Sequence, residues 1–127
     1  MTPSTDTQAV DWFLSHAVEN VLPSKEALRE KLLSGARLRV YLGLDPTGPT
    51  IHIGHVIQLQ KMAELQALGH EIILLLGDFT AMIGDPTDKT ATRKRLSREE
   101  VLENLKQYKA QASRFLRFDG PNPAQVK

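Results

Sequence analysis

The chain has 127 residues, enough for one domain and too few for a large multidomain enzyme. Hydrophobic residues make up 41% of it and charged residues 24%, which favours a folded soluble domain over a disordered chain. The 16 basic and 15 acidic side chains nearly cancel, so charge alone does not indicate a nucleic-acid binder.

Cysteine and long apolar segments are both missing from the sequence. Without cysteine the chain cannot form a disulfide scaffold, a cysteine-based zinc site or a thiol nucleophile. The first residues lack the basic and apolar regions of a signal peptide, and the longest apolar run, 72–76, is too short to span a bilayer. We therefore expect a cytoplasmic protein that does not contact a membrane.

Two helices are predicted at the start of the chain. Apolar residues recur at helical spacing over 7–21, and Pro23 closes that segment. Ser24 can cap a second helix over 25–33, which Gly35 ends.

The pattern then changes to that of a parallel α/β sheet. Apolar and other residues alternate over 38–44, as in a strand, and a turn-rich loop follows at 45–50. A helix is predicted from about Gly54 to Gly69. The apolar run 72–76 has the composition of a strand that is buried on both faces.

The last third contains a glycine-bearing loop, 77–96, and one more helix. Ser97 and Glu100 form a capping box that opens a helix reaching about Phe115, and 118–127 is expected to be a linker or a cut end. The element order predicts the α/β class, specifically the N-terminal half of a Rossmann-like doubly wound parallel sheet preceded by two helices. We divide the chain into a helical segment, 1–36, and the half-sheet, 37–127.

The sharpest chemical feature is the pair His52 and His55. They lie three residues apart at a predicted helix start, so both imidazoles can approach one point that also receives the helix N–H groups. Gly54 between them leaves room for a flat ligand near the backbone. One histidine as a helix cap and the other on the surface is the plainer interpretation. A zinc site is less favoured, because no cysteine or third histidine is near.

Two longer stretches resemble a known family. Residues 41–55 are similar to the first strand and HIGH motif of class I aminoacyl-tRNA synthetases, and 77–89 resembles the second-strand loop of their tyrosyl branch. The resemblance continues to about Arg93 and into the helix after Ser97. Tryptophanyl relatives share the HIGH features but lack the Gly-Asp-Pro-Thr loop at 84–87.

The resemblance implies a binding site for tyrosine. The residue at the position of Tyr41 hydrogen-bonds the substrate phenol in that branch. The aspartate matching Asp85 receives the substrate ammonium, together with the threonine matching Thr80.

It also implies a site for ATP. Gly43 and Asp45 correspond to the floor of the adenylate site, Thr47 and His52 reach the phosphates, and His55 lies near the ribose and orders the motif. Gly54 belongs to the same ATP-binding set.

Lys89 and Arg93 match a basic pair that binds the departing pyrophosphate. Mg²⁺ is expected to enter with ATP, because it usually binds phosphates, and no metal site on the protein is predicted. The other implied partners are tyrosine and tRNA(Tyr), and a homodimer is implied for a complete enzyme.

Each of these assignments has a plainer alternative. Tyr41 can be an exposed strand residue, Asp85 is a common turn residue before proline, and the basic loop can be a solvated surface. A P-loop at 84–90 is rejected because Asp88 replaces its glycine. That aspartate also departs from the glycine of many family members, which leaves the shape of the loop open.

The implied function is tyrosine--tRNA ligase activity, in which tyrosine is converted to an adenylate and passed to tRNA. The alternatives are a small nucleotidylyltransferase with an H-x-G-H motif and a non-catalytic nucleotide- or tRNA-binding fragment. The family's Lys-Met-Ser-Lys-Ser loop is not found here. We therefore expect this stretch by itself to be weakly active or inactive, whether it is an engineered fragment, a natural truncation or part of a split enzyme.

Overall fold

The computed structural model describes residues 2–44, 53–76 and 97–127, without the side chains of Ile53, Leu76 and Val101. The described elements follow one another along the chain. They are α1 (Thr7–Ser15), α2 (Lys25–Leu33), β1 (Arg39–Leu44), α3 (Ile53–Ala67), β2 (Glu71–Leu76), α4 (Arg98–Ala112) and β3 (Gln125–Val126).

The three described strands form a parallel sheet in the order β1-β2-β3. The β1–β2 register pairs Val40 with Ile72 and Leu44 with Leu76, so these strands end side by side at their carboxyl ends. Parallel strands need a crossover connection, and α3 lies between β1 and β2 in the sequence. The prediction of half a Rossmann-like parallel sheet is thereby confirmed.

One face of the sheet carries the hydrophobic core. Leu42 and Leu74, neighbours in the register, point into a cluster to which the helices contribute. Its buried members include Val10, Phe13, Leu14, Leu32, Leu59, Leu65, Ile72, Leu74, Ala112, Leu116 and Ala124. The two N-terminal helices thus share a core with the sheet.

The opposite face is only partly covered. Ile73 is buried there, but Leu75 is 38% exposed and Tyr41 is 66% exposed. The prediction that the whole run 72–76 is buried on both faces is therefore wrong at Leu75. Side chains alternate along a strand, so this exposure belongs to the face turned away from the core.

Helix α1 ends six residues before its predicted end at Val21, because a side chain from α3 binds the carbonyls at its end. Its C-cap His16 is extended, and Ala17 has a φ of 54°, outside the helical region. Lys61 on α3 donates hydrogen bonds to the carbonyls of Phe13 (2.6 Å) and His16 (2.8 Å). A lysine that bonds the last carbonyls of a helix is a recognised way to end one.

The other helices follow their local signals closely. The Ser24 hydroxyl accepts from the Ala27 N–H at 3.1 Å, and α2 has the predicted bounds. Ser97 and Glu100 form the predicted capping box, although α4 ends at Ala112 rather than near Phe115. Gly69, with a φ of 99°, follows α3 where a residue with a side chain would be strained.

The segment 118–127, expected to be a linker or a cut end, contains a strand, β3, that joins the sheet. Ile73 pairs with Gln125, and the Lys127 N–H donates to the Leu74 carbonyl at 2.9 Å. The segment is held by Asn122, whose amide donates to the His70 carbonyl at 2.9 Å. This long-range bond positions a strand too short to be recognised by its own pattern.

None of the helices among the described residues is long and apolar enough to cross a bilayer.

His70 is buried and neutral, and we therefore expect the stability of the fold to fall at acidic pH. Its Nδ1 accepts from the Leu38 N–H at 3.1 Å, which places the proton of the neutral ring on the buried Nε2. Burial lowers the pKa of His70, and the nearby Arg37 charge lowers it further. The unfolded chain therefore binds more protons than the folded chain at mildly acidic pH.

This difference is expected to destabilise the fold below about pH 6.5, the ordinary histidine pKa. The stability that the neutral His70 contributes is fully present above about pH 6.5. It is lost as the pH falls through the lowered pKa of His70 in the folded state. Thermal unfolding at pH 7 and pH 5 measures the loss. His70→Asn keeps an acceptor for Leu38 but cannot titrate, so its Tm should fall less between these pH values. An equal fall in both proteins would contradict the assignment.

Candidate active site

The candidate site lies at the carboxyl ends of β1 and β2. In open parallel sheets, ligands bind at this edge, in the loops that follow the strands. Segment 45–52 follows β1 and segment 77–96 follows β2 in the sequence, and the two strands end side by side. The predicted motifs are therefore attached to adjacent strand ends.

Several predicted site residues lie outside the described residues, and their roles stay predictions. They are Asp45, Thr47, His52, Thr80, Asp85, Lys89 and Arg93. The described members of the predicted site are Tyr41, Gly43, Gly54 and His55.

Tyr41 and Gly43 form an open surface on the carboxyl half of β1. Both are exposed and lie two residues apart, so they share the face turned away from the core. A Cβ built on Gly43 would meet no atom within 4 Å, so no close neighbour requires a glycine there. Glycine weakens a strand interior and often marks a place where a ligand approaches closely. The space over Gly43 can accept a flat ligand, and Tyr41 lies two residues before it on the same face.

The amino end of this face carries a charged pair, and the described residues of its carboxyl end do not. At the amino end, the Arg39 guanidinium donates to a Glu71 carboxylate oxygen at 2.9 Å, and Gln125 donates to the other oxygen at 2.9 Å. The hydrogen bond from Arg39 is the main cause of the lowered pKa of Glu71. The amino end is thus occupied by paired polar groups. Tyr41 and Gly43 lie at the carboxyl end, beside the strand ends where the motifs begin.

His55 lies in the first turn of α3, at the same edge of the sheet. The ring is half-buried and its Nδ1 is buried, while Gly54 before it is exposed. The first turn contains no acidic residue that would oppose an anion. The N–H groups and partial positive charge of a helix start favour a phosphate, and α3 is long enough, at 15 residues, to have a full dipole.

Sequence reasoning missed one residue beside this site, Tyr108 on α4. Its ring centroid lies 6.2 Å from that of His55, with the planes tilted by 55°. Tyr108 is 3% exposed and packs in a small cluster with Leu44, the last residue of β1. Helical spacing from Leu105 and Ala112 could have marked Tyr108 as buried, but it could not have identified His55 as its neighbour.

The described residues offer no metal centre. Among them, no group of three or more histidine, aspartate or glutamate side chains is placed to hold a metal ion. His70, the histidine nearest in sequence after the motif pair, is buried in the core with Nδ1 hydrogen-bonded to Leu38.

Comparison with known proteins gives a consistent family assignment. Residues 33–123 match the family described as tRNA synthetases class I (W and Y). The chain is 50% identical over 117 residues to the tyrosine--tRNA ligase of Carboxydothermus hydrogenoformans, covering 90% of this chain and 27% of the relative. It is 54% identical over 92 residues to that of Aquifex aeolicus, covering 72% of this chain and 24% of the relative.

Solved structures agree in fold. A C-terminally truncated mitochondrial tyrosyl-tRNA synthetase of Coccidioides posadasii superposes with a TM-score of 0.64 at 25% identity, over 93% of this chain and 34% of that one. The corresponding protein of Aspergillus nidulans has a TM-score of 0.65 at 22% identity, over 94% and 40%. The chain spans about a quarter of the length of the curated relatives it matches.

Proposed function

We infer the activity from the family: the chain belongs to the class I tRNA synthetases of the W and Y group, and we propose that it carries the first half of a tyrosine--tRNA ligase active site. The proposed reaction activates tyrosine with ATP and then transfers the tyrosyl group to tRNA(Tyr). We further propose that it acts in the cytoplasm and that the complete enzyme is a homodimer.

The open surface of Tyr41 and Gly43 on β1, the strand that precedes α3 in the chain, is the observation that supports the proposal most directly. Gly43 leaves space for a flat group, and α3 begins with N–H groups and His55 where phosphates would lie. Tyr41 presents a hydroxyl on the same face, where it can donate to or accept from a phenol. An aromatic amino acid next to ATP fits these three features together.

In the first step, an oxygen of the tyrosine carboxylate attacks the α-phosphorus of ATP. A new oxygen–phosphorus bond forms, the bond to the β-phosphate oxygen breaks, and pyrophosphate leaves with the electron pair. The carboxylate is already an anion, so no general base is required. The protein contributes orientation and stabilisation of the charge that develops on the phosphates.

We assign this stabilisation to residues on both sides of the sheet edge. His52 and Thr47 would donate to the phosphates, and His55 would lie near the ribose and order the motif. Gly43, Asp45 and Gly54 would line the adenylate site. Lys89 and Arg93 would bind pyrophosphate as it leaves. Magnesium enters as part of the ATP substrate and supplies further charge neutralisation on the phosphates.

On the tyrosine side, Thr80 and Asp85 would bind the substrate ammonium, and Tyr41 its phenol. In the second step, a ribose hydroxyl of tRNA(Tyr) attacks the tyrosyl carbonyl carbon and forms an ester bond. The bond from that carbon to the phosphate oxygen breaks, AMP leaves with the electron pair, and the phosphate takes up the hydroxyl proton. Both steps use the same bound amino acid, so one site serves for activation and transfer.

Tyrosine-dependent exchange of labelled pyrophosphate into ATP tests the proposal. The complete product of the gene that encodes this sequence is purified and assayed with tyrosine, with tryptophan and with no amino acid. We expect exchange with tyrosine alone. Exchange with tryptophan instead, or none with either amino acid, would refute the assignment. Exchange with pantetheine phosphate or nicotinamide mononucleotide would favour a small nucleotidylyltransferase.

Tyr41→Phe should reduce discrimination between tyrosine and phenylalanine. A site that hydrogen-bonds a substrate hydroxyl rejects the analogue that lacks it, because a polar group of the site is otherwise left unpaired. Tyrosine binding should weaken by about 1 kcal/mol, the scale of one ordinary hydrogen bond. The measurement is the ratio of kcat/KM for the two amino acids in pyrophosphate exchange.

Tyr108→Phe is the matched control, since it removes a hydroxyl from a buried tyrosine on α4. It should leave the selectivity ratio unchanged. A parental ratio in Tyr41→Phe would mean that the Tyr41 hydroxyl does not contact the substrate.

A further inference from the structure

We propose that Tyr108 is a positioning residue, which holds the imidazole of His55 in the orientation that the reaction uses. The inference rests on the proposed function and extends the site to α4. It starts from one ring pair, His55 with Tyr108, that joins the helix start after β1 to a residue distant in sequence.

The geometry of this pair is that of a packed aromatic contact. The centroids lie 6.2 Å apart and the planes are tilted by 55°, between stacked and edge-to-face. Aromatic pairs prefer such tilted or offset arrangements at 4.5–7 Å over a face-to-face sandwich. The Tyr108 ring therefore contacts the imidazole from one side and limits the angles its ring plane can adopt.

Tyr108 is itself rigidly held. It is 3% exposed and packs with Leu44, with Leu42 and Leu105 against the same cluster. Leu44 is the last residue of β1, directly before the motif at 45–52. One buried ring thus supports both the end of the strand and the histidine at the start of α3.

Fixing the imidazole matters for the proposed chemistry. A donor contributes most when it already points to where charge develops, because no reorganisation is needed as the reaction proceeds. The half-buried ring of His55 faces the Tyr108 ring on α4. Without the Tyr108 ring, the imidazole is free to rotate away from the bound nucleotide while the fold stays intact. The expected loss is therefore in kcat rather than in tyrosine binding.

The test compares Tyr108→Leu with its conservative partner Tyr108→Phe in the complete gene product. Pyrophosphate exchange should fall about 5- to 10-fold in kcat for the leucine variant, the scale of one lost aromatic contact, with KM for tyrosine changed less than about twofold. Tyr108→Phe keeps the ring and should recover most of the rate. Phe118→Leu is the matched control, because it removes a half-buried ring that packs against the main core cluster. It should lower Tm without lowering kcat.

A double-mutant cycle with His55→Ala separates positioning from general stability. If Tyr108 acts through His55, Tyr108→Leu causes no further loss of kcat in the His55→Ala protein. An equal loss in both backgrounds, or no loss in the single variant, would overturn the inference. If Tyr108→Leu does not fold, Tyr108→Met takes its place with the same criteria. An unmodified protein without tyrosine-dependent exchange would refute the proposed function instead, so the two failures differ.

Discussion

Replacing His55 with alanine is expected to slow tyrosine activation. The activation free energy should rise by about 2–4 kcal/mol, the scale of losing one preorganised donor. The imidazole lies in the first turn of α3, where the helix N–H groups also point. Its ring is half-buried and packed against Tyr108, so it is oriented before the substrate arrives. A preorganised donor beside the nucleotide contributes most in the transition state, when the charge on the reacting nucleotide is greatest.

Pyrophosphate exchange by the complete gene product measures the effect, which should fall mainly on kcat. His55→Gln keeps an N–H donor of similar reach and should lose less activity than His55→Ala. His16→Ala is a matched control, since it removes an exposed histidine that stacks on Trp12. A parental rate for His55→Ala would exclude the imidazole from the reaction. The same loss is expected for His52→Ala.

The elements that the sequence predicted well are those whose ends are determined locally. Ser24 caps α2 through its own hydroxyl, and Ser97 and Glu100 cap each other's backbone at α4. The parallel pairing of β1 and β2 also follows from local patterns, since an apolar strand after a crossover helix has few other places to go. Such signals lie within a few residues of the boundary they fix.

The predictions that were wrong concern features that residues distant in the sequence determine. Helix α1 stops early because Lys61 binds its carbonyls, and Lys61 belongs to a different helix. Leu75 is exposed although its apolar run resembles a fully buried strand. Strand β3 depends on Asn122 and on contacts from α3, which no pattern in 118–127 reveals.

Among the residues of the candidate site, local patterns also predicted some and missed others. The placement of Tyr41, Gly43 and His55 at one edge follows from strand alternation and from the helix start. Tyr108 could be recognised as part of the site only from the packing of α4 against that edge. The spacing of residues along a helix predicts which face is buried, but not which residues pack against that face. Sequence patterns thus found residues near the strand ends and missed the support behind them.

Replacing Gln66 with leucine is expected to destabilise the fold by about 2–4 kcal/mol, because buried backbone groups lose their partners. Gln66 is 5% exposed, and its amide donates to the carbonyls of Arg117 (2.7 Å) and Asn122 (2.9 Å). Its side-chain oxygen accepts from the Arg117 N–H at 3.0 Å. The Arg117 carbonyl keeps a second donor, Ala124, but Arg117 N–H and Asn122 carbonyl lose these bonds. Two unsatisfied groups at about 1–3 kcal/mol each, one of them partly exposed, give the expected range.

The loss should appear first in the C-terminal segment, which Gln66 ties to α3. Urea unfolding gives the change in free energy, and hydrogen exchange locates it. The Lys127 amide, which follows β3 and donates to the Leu74 carbonyl of β2, should exchange faster than amides of α3. Gln107→Leu is the matched control: its side chain is exposed on α4, so its effect should stay within about 0.5 kcal/mol. If Gln66→Leu were equally mild, the three bonds would not hold β3, and apolar packing of Ala124 and Leu116 would have to do so.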